Sequence, residues 1–116
     1  ENSQSRDPQN QPGAIKIDPP TFAPDIAGAS NFTTLNYSFD DPGNTLNIRI
    51  VDAEGRVIKR ISQNTIVGRE GFFTWDGSTD DGGKARVGYY MIIMEVISSE
   101  GKISYIREKV AIGSRL

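Results

Sequence analysis

The residues best suited to chemistry in this chain are three aspartates in one short segment, WDGSTDDGG, at positions 75–83. Carboxylates are oxygen ligands of the kind that calcium prefers, and a pair of them can also act as general acid and general base. Their spacing does not match the calcium loop, in which acidic ligands alternate and a distal Glu follows a Gly. The segment therefore offers only a weak calcium candidate, formed by Asp76, Asp80 and Asp81 with backbone carbonyls.

The glycines of the same segment favour a turn over a metal site. Asp76-Gly77 and Asp81-Gly82 are typical turn dipeptides, because Asp bonds the backbone two residues on and Gly accepts positive φ. An acid–base pair would need one carboxyl with a raised pKa in a cleft, whereas a Gly-rich turn is exposed. We predict a turn between two strands, with no catalytic residue, no assigned metal and no cofactor.

The groups used by most other catalytic sites are missing. The chain has no Cys and no His, which removes thiol nucleophiles, thiolate ligands, disulfides and the usual general base. Ser62, Ser98 and Ser99 have no His to activate them, and no Gly-x-Ser-x-Gly elbow occurs. The glycines never lead from a strand into a helix, so a phosphate-binding loop is not expected. We predict that the chain is not an enzyme.

The length and charge of the chain limit the number of domains and the classes of partner that we expect. A chain of 116 residues suffices for one domain with a single core. Its net charge of -2, with both signs interspersed, predicts no basic face for nucleic acid or anionic lipid. The longest apolar run, Tyr89 to Met94, is far shorter than the roughly 20 residues that span a bilayer. We expect no nucleic acid, no membrane insertion and a protein partner, and the oligomeric state stays open.

The composition changes once, near residue 14. Residues 1–13, ENSQSRDPQNQPG, have no aliphatic or aromatic side chain and cannot offset their ordering entropy by burial. We predict a disordered polar linker over residues 1–14 and one folded domain over residues 15–116. The next segment, AIKIDPPTFAPDIAGASN, contains three prolines, which indicates an irregular lead-in or an edge strand.

Alternation of apolar and polar residues then indicates a series of strands. The inward-facing residues of FTTLNYSF and TLNIRIVD are predicted to be Leu35, Tyr37, Phe39, Leu46, Ile48 and Ile50. The second of these segments turns at AEG into RVIKRIS, in which Val57 and either Ile61 or Ile58 can face inward. This pair predicts a hairpin.

The second half of the chain contains the only Trp and the longest apolar run. EGFFTWDG predicts a short aromatic strand, with Trp75 in the core and not on a sugar-binding platform. GYYMIIMEV is rich in residues typical of strands, and we predict a central strand buried on both faces. KISYIREKVAI is the last strand, after a tight turn at Ser99–Gly101. Together these strands predict an all-β antiparallel sandwich without a helix.

Three segments carry a family resemblance: NYSFDDPGNTLNIRIVDAEGRVIKRI, GFFTWDGSTDDGGKARVGYYMIIMEV and GKISYIREKVAI. They resemble the immunoglobulin-like domain of the flagellar hook-capping protein family. They are also similar to the C-terminal domains that direct type IX secretion of exported Bacteroidetes proteins. The shared pattern is a strand ending in Trp-Asp-Gly, an Asp/Gly turn, a Gly-Tyr opening a long strand, and a strand after Gly-Lys. The resemblance covers about residues 21 to 112 and implies an immunoglobulin-like or fibronectin-III-like sandwich of about seven strands.

The chain departs from that family at one loop. Members commonly open with Phe-Ser-Pro followed by Asp, Gly and Asn residues that could bind calcium. Here FAPDIAGASNF keeps Asp25 and Asn31 but places Ile26, Ala27 and Ala29 where further ligands would be needed. Because a hard cation takes six to eight oxygens, we expect no calcium site at this loop.

The resemblance implies a non-enzymatic C-terminal module of a larger exported bacterial protein, secreted or at the cell surface. Its role would be secretion targeting, surface attachment or structural spacing. Its partners would be export or attachment machinery, or other domains of the parent protein. They would recognise a folded surface or the exposed edge of the last strands. The chain starts at Glu1 without Met, as expected of a processed product or an excised piece.

Two alternatives stay open. An adhesion or carbohydrate-binding module would use whichever of Tyr89, Tyr90 and Tyr105 face outward. A flagellar or filament assembly module would show a self-complementary apolar patch.

Overall fold

The computed structural model describes residues 13–24, 26 and 30–113. This part of the chain forms two β-sheets and no helix, and hence no helix that could span a membrane. The strands are β1 (Gly13–Asp18), β2 (Thr21–Phe22), β3 (Thr33–Phe39), β4 (Asn44–Val51), β5 (Val57–Val67), β6 (Glu70–Trp75), β7 (Gly88–Ile97) and β8 (Ile103–Ile112). The predicted all-β sandwich is confirmed. Residues 1–12 of the predicted linker lie outside the described residues, and β1 begins at Gly13.

One sheet has three antiparallel strands in the order β1-β3-β6. β1 is an edge strand, one of the two possibilities that its neighbouring prolines predict. Leu35 and Phe39 are buried and Tyr37 packs half-buried against the core, as their alternation predicts. Tyr37 is in register with Gly71 of β6, and its phenol ring lies directly over the Gly71 backbone.

The other sheet has five strands in the order β2-β8-β7-β4-β5. The chain passes from the first sheet to the second at Pro19 and Pro20, which supply no N–H donors for a continuous strand. β2 pairs in parallel with β8 over two residues only, whereas the other strand pairs of this sheet are antiparallel. Strands β4 and β5 form the predicted hairpin, closed where the Asp52 N–H donates to the Arg56 carbonyl at 3.0 Å.

The core lies between the two sheets. Its members include Leu46, Ile48, Ile50, Ile92, Met94 and Val96, each at most 1% exposed. Trp75 is 1% exposed and packs edge-on against Phe22 and Tyr90, with ring centroids 5.5 and 5.6 Å away. The prediction that Trp75 is a core residue is therefore confirmed.

Two details of the predicted strands were wrong. Val57 is exposed, while both Ile58 and Ile61 pack against the core, because irregularities in the β4–β5 register break the alternation of β5. β7 is central but is buried on its inner face only. Its other face is half-buried, since no further layer covers that side of the five-stranded sheet in the described part of the chain.

Candidate functional site

The Asp/Gly segment forms the loop between β6 and β7. The Ser78 N–H donates to the Asp76 carboxylate at 3.0 Å, and the Gly83 N–H donates to that of Asp81 at 3.1 Å. The Thr79 hydroxyl also donates to Asp81. The glycines that follow the two aspartates, Gly77 and Gly82, have φ of 88° and 90°. Both dipeptides thus form the turns that their sequence predicts.

Asp80 contacts the neighbouring strand β5, whereas Asp76 and Asp81 accept hydrogen bonds within their own loop. Its carboxylate accepts the Arg60 backbone N–H at 3.0 Å and lies 3.8 Å from the Lys59 ammonium and 3.6 Å from the Arg60 guanidinium. The Asp80 N–H donates in turn to the Ile58 carbonyl at 2.9 Å. Asp80 therefore fastens the loop to the edge strand β5.

The three carboxylates do not form a common site. Each has its own hydrogen-bond partners, and the described residues contain no group of three acidic side chains placed to hold a metal ion. Hydrogen bonds from Ser78 lower the pKa of Asp76, and hydrogen bonds from Thr79 and Gly83 lower that of Asp81. A general acid at neutral pH needs the opposite shift, so this geometry supplies no acid–base pair.

We predict that calcium does not stabilise the fold. A ligand specific to the native state adds about 2.7 kcal/mol at 100 times its dissociation constant, whereas the carboxylates here are already engaged by protein donors. Melting curves in millimolar calcium and in chelator should coincide. A rise of many degrees with calcium that disappears in Asp80→Ala would make this loop a structural metal site.

The second calcium candidate, near residue 25, lies largely outside the described residues. Of its positions, Ile26 and Asn31 are described, while Asp25, Ala27 and Ala29 are not. The Asn31 amide donates to the Pro24 carbonyl at 2.9 Å and so bridges the two ends of this segment. The prediction of no calcium site there stays a prediction.

A depression of about 580 Å³ lies at the end of the sandwich where the loops 52–56 and 76–87 meet. Its charges are largely satisfied within the protein. The Arg56 guanidinium lies 2.9 Å from the Asp52 carboxylate and 3.4 Å from that of Glu54. Hydrogen bonds from Arg56 hold the pKa of Asp52 below its ordinary value. The two carboxylates of this depression, those of Asp52 and Glu54, are thus both engaged by Arg56.

The three tyrosines of the carbohydrate-binding alternative do not lie together in the structure. Tyr89 and Tyr105 face outward, 70% and 42% exposed, whereas Tyr90 is buried and its hydroxyl donates to the Arg86 carbonyl at 2.5 Å. Tyr89 is in register with Ala111, six residues along β8 from Tyr105. At the rise of a strand this is about 20 Å, too far for the two rings to stack on one sugar.

The uncovered side of the five-stranded sheet, which we call the outer face, extends across β8, β7, β4 and β5. Strand register arranges its side chains in rows that cross the sheet. The first row holds Ile103, Ile97, Thr45 and Ile66; the second Tyr105, Glu95 and Asn47; the third Arg107, Ile93, Arg49 and Arg60; the fourth Lys109, Met91, Val51 and Val57. Tyr89 lies beyond the fourth row. The outer face therefore combines apolar and cationic side chains.

The apolar part of this face is open to solvent. Ile66 is 74% exposed and Ile103 is 55% exposed, while Ile97 between them is half-buried. Apolar side chains gathered on one exposed surface are typical of interaction sites, whereas isolated ones are common on any protein.

The charged part of the face is more cationic than the overall charge of the chain suggests. It carries four cations, Arg49, Arg60, Arg107 and Lys109, and one carboxylate, Glu95, although the chain as a whole is at -2. Arg49, Arg60, Asn47 and Glu95 also line one shallow depression of about 440 Å³. The cations are scattered along the sequence, and only strand register brings them together.

The last strand leaves part of its edge open, as the recognition hypothesis expects. β8 pairs with β7 along its whole length but with β2 only at Ala111 and Ile112. The earlier residues of β8 have no second strand beside them in their sheet within the described chain.

The fold and these surfaces define the class of the protein: an immunoglobulin-like β-sandwich. Residues 20–100 match the model of the FlgD Ig-like domain, and the chain belongs to that family. The resemblance to the flagellar hook-capping family is thereby confirmed. No curated protein matches the chain significantly.

Two solved structures are similar. The first is FlgD from Xanthomonas campestris, whose structure is described as giving insights into hook capping essential for flagellar assembly. It is 25% identical with a TM-score of 0.54, over 69% of this chain and 57% of that one, so this chain aligns with little more than half of that protein. CopC from Methylosinus trichosporium OB3b is 19% identical with a TM-score of 0.53, over 90% of this chain and 98% of that one. This second likeness shows the fold alone.

Proposed function

We propose that this chain is a non-enzymatic, protein-binding module of a larger exported bacterial protein. It attaches that protein to export or surface machinery, and it does so through the outer face. The observation that carries the proposal is that Ile66, Ile97 and Ile103 of the first row are uncovered, on the same face as the cations of the third and fourth rows. An exposed surface that combines apolar and cationic side chains lowers solubility, and such surfaces are typical of sites that a partner covers.

The role in secretion rests on the resemblance to type IX C-terminal domains. Recognition of a folded surface suits the outer face, and recognition of an edge suits the open part of β8. The outer face is the better candidate, because it offers apolar area and charge together, whereas an open edge offers backbone groups only. The protein would be secreted or held at the cell surface.

A flagellar or filament assembly module is the second candidate, and family membership favours it. Such a module would need contacts between neighbouring subunits. The isoleucines of the first row supply part of such a contact, but the arginines of the third row do not complement themselves. The carbohydrate-binding alternative is weaker, because Tyr89 and Tyr105 stand about 20 Å apart.

The proposal is tested in the organism that encodes the chain, with the full parent protein. Ile103→Asp places a charge in the apolar row, and Phe72→Asp is the matched control on the outer side of the three-stranded sheet. Both side chains are well exposed, at 55% and 65%, so both variants should fold with nearly unchanged melting temperature. We expect Ile103→Asp to reduce the parent protein in the surface or culture fraction several-fold, and Phe72→Asp to leave it unchanged.

Equal distribution of the two variants and the wild type would refute a role for the outer face. Loss of export in both variants alike would also refute it, because the effect would then not depend on this surface.

A further inference from the structure

The third row of the outer face sets like charges against each other. Arg107 lies opposite Ile93, Ile93 opposite Arg49, and Arg49 opposite Arg60. Like charges directly opposite in neighbouring strands destabilise a sheet. Arg60 is relieved by Asp80, 3.6 Å away, whereas Arg49, Arg107 and Lys109 form no ion pair with any described residue. Within the described residues, these three cations are therefore not neutralised by an ion pair.

The one carboxylate on this face is already engaged. Glu95 accepts hydrogen bonds from the Asn47 amide at 3.1 Å and from the Tyr105 hydroxyl at 3.0 Å. The bond from Tyr105 also raises the pKa of that phenol. Because both Glu95 oxygens have donors, this carboxylate is fixed in place beside the arginine row.

Aromatic rings hold two of the cations in position. The Arg107 guanidinium lies 5.5 Å from the centre of the Tyr105 ring, and the Lys109 ammonium lies 5.7 Å from that of Tyr89. A guanidinium beside an aromatic ring keeps its N–H donors available for a carboxylate. Less side-chain entropy is then lost when a partner binds.

We propose that the outer face binds a protein surface of acidic and apolar character. The partner's carboxylates meet Arg49 and Arg107, and its apolar side chains cover Ile97 and Ile103. The two rows are four residues apart along the strands, which is about 13 Å. This inference rests on the proposed function and adds the chemistry of the partner.

A second copy of the chain does not fit this description. Two outer faces related by a two-fold axis that overlays their third rows would set arginines against arginines. The outer side of the three-stranded sheet is no better, because its two described acids, Asp18 and Glu70, are separated by the row that holds the cation Lys16 and the one large apolar side chain, Phe72. The partner is therefore a different protein surface.

The test uses three soluble polypeptides of equal length: a random copolymer of glutamate and tyrosine, polyglutamate, and a copolymer of lysine and tyrosine. Binding to the isotope-labelled 116-residue chain is followed by amide chemical shifts at several salt concentrations. We expect the glutamate–tyrosine copolymer to perturb β4, β7 and β8 and to weaken as salt rises. Polyglutamate should bind at least about tenfold more weakly, and the lysine copolymer should not bind.

Variants locate the site. The double variant Arg49→Gln/Arg107→Gln should weaken binding of the glutamate–tyrosine copolymer at least about tenfold, with a melting temperature within a few degrees of wild type. Lys16→Gln, on the other sheet, is the matched control and should bind normally.

Three results would overturn the inference: no binding of the glutamate–tyrosine copolymer, equal binding of polyglutamate, or full binding by the double variant. Equal binding of polyglutamate would define a simple polyanion site, open to nucleic acid or anionic lipid. The proposed function can be refuted independently of the inference about the partner's chemistry. An unchanged distribution of the parent protein in Ile103→Asp would refute the proposed function. If Ile103→Asp changes that distribution but the charge variants bind the glutamate–tyrosine copolymer as wild type does, only the inference about the partner's chemistry is refuted.

Discussion

Trp75→Ala is expected to lower the free energy of unfolding by about 3 to 5 kcal/mol, the range of large-to-small changes at buried aromatic residues. Trp75 is 1% exposed, lies in the three-stranded sheet and touches two residues of the five-stranded sheet, Phe22 and Tyr90, through edge-to-face contacts. Its indole N–H also donates to the Ser78 carbonyl at 2.9 Å. The change thus removes packing between the sheets and one hydrogen bond to the Asp/Gly loop. Urea unfolding followed by circular dichroism measures the loss.

Trp75→Phe separates the two contributions. It keeps an aromatic ring in the core but cannot donate to Ser78, so it should be less destabilising than the alanine variant. An alanine variant of wild-type stability that has lost binding to a glycan or protein would place Trp75 in a ligand site. That outcome would contradict the core assignment.

Gly77→Ala is expected to be the second most damaging of these changes. Gly77 has φ of 88°, a region that costs a residue with a Cβ about 1 to 2 kcal/mol. An added Cβ would also lie 3.0 Å from the Pro24 ring, where crowding typically adds about 1 to 3 kcal/mol. The Asp76–Gly77 turn therefore needs glycine both for its backbone and for its close packing.

Gly82→Ala is the matched control for that prediction. Gly82 has nearly the same φ, 90°, but an added Cβ would meet nothing within 4 Å. Its substitution should therefore cost only the backbone strain, about 1 to 2 kcal/mol. Denaturant unfolding of both variants gives the difference, and equal losses would show that the contact with Pro24 contributes nothing.

The fold could be predicted from sequence wherever the alternation was regular. Leu46, Ile48 and Ile50 alternate with polar residues, and all three are buried. The prediction failed in β5, since register irregularities place Ile58 and Ile61 against the core and leave Val57 exposed. Nothing in RVIKRIS marks the position of those irregularities, because they depend on pairing with β4 and on the Asp80 contact.

The candidate site was harder to predict for a similar reason. Arg49, Arg60 and Arg107 lie in three different strands and become neighbours only through pairing across the sheet. One local signal did exist: in SYIREKV, Tyr105, Arg107 and Lys109 alternate with residues of the inner side. The overall charge did not reveal this signal, since a net charge of -2 does not show how the positive and negative side chains are divided between the faces of the sheets.

The placement of the start of β1 and the end of β8 at opposite ends of the sandwich bears on how the domain would carry mechanical load. Gly13 is in register with Phe39 at one end of the sandwich, whereas β8 runs towards the opposite end and reaches it at Ile112. Tension between these two points pulls β1 lengthwise along β3, and β8 lengthwise along β7. The hydrogen bonds of each pair lie across the pulling direction and are strained together, in shear, instead of opening one after another. A pull on Gly13 and Ile112 would therefore be resisted by whole strand pairs at once.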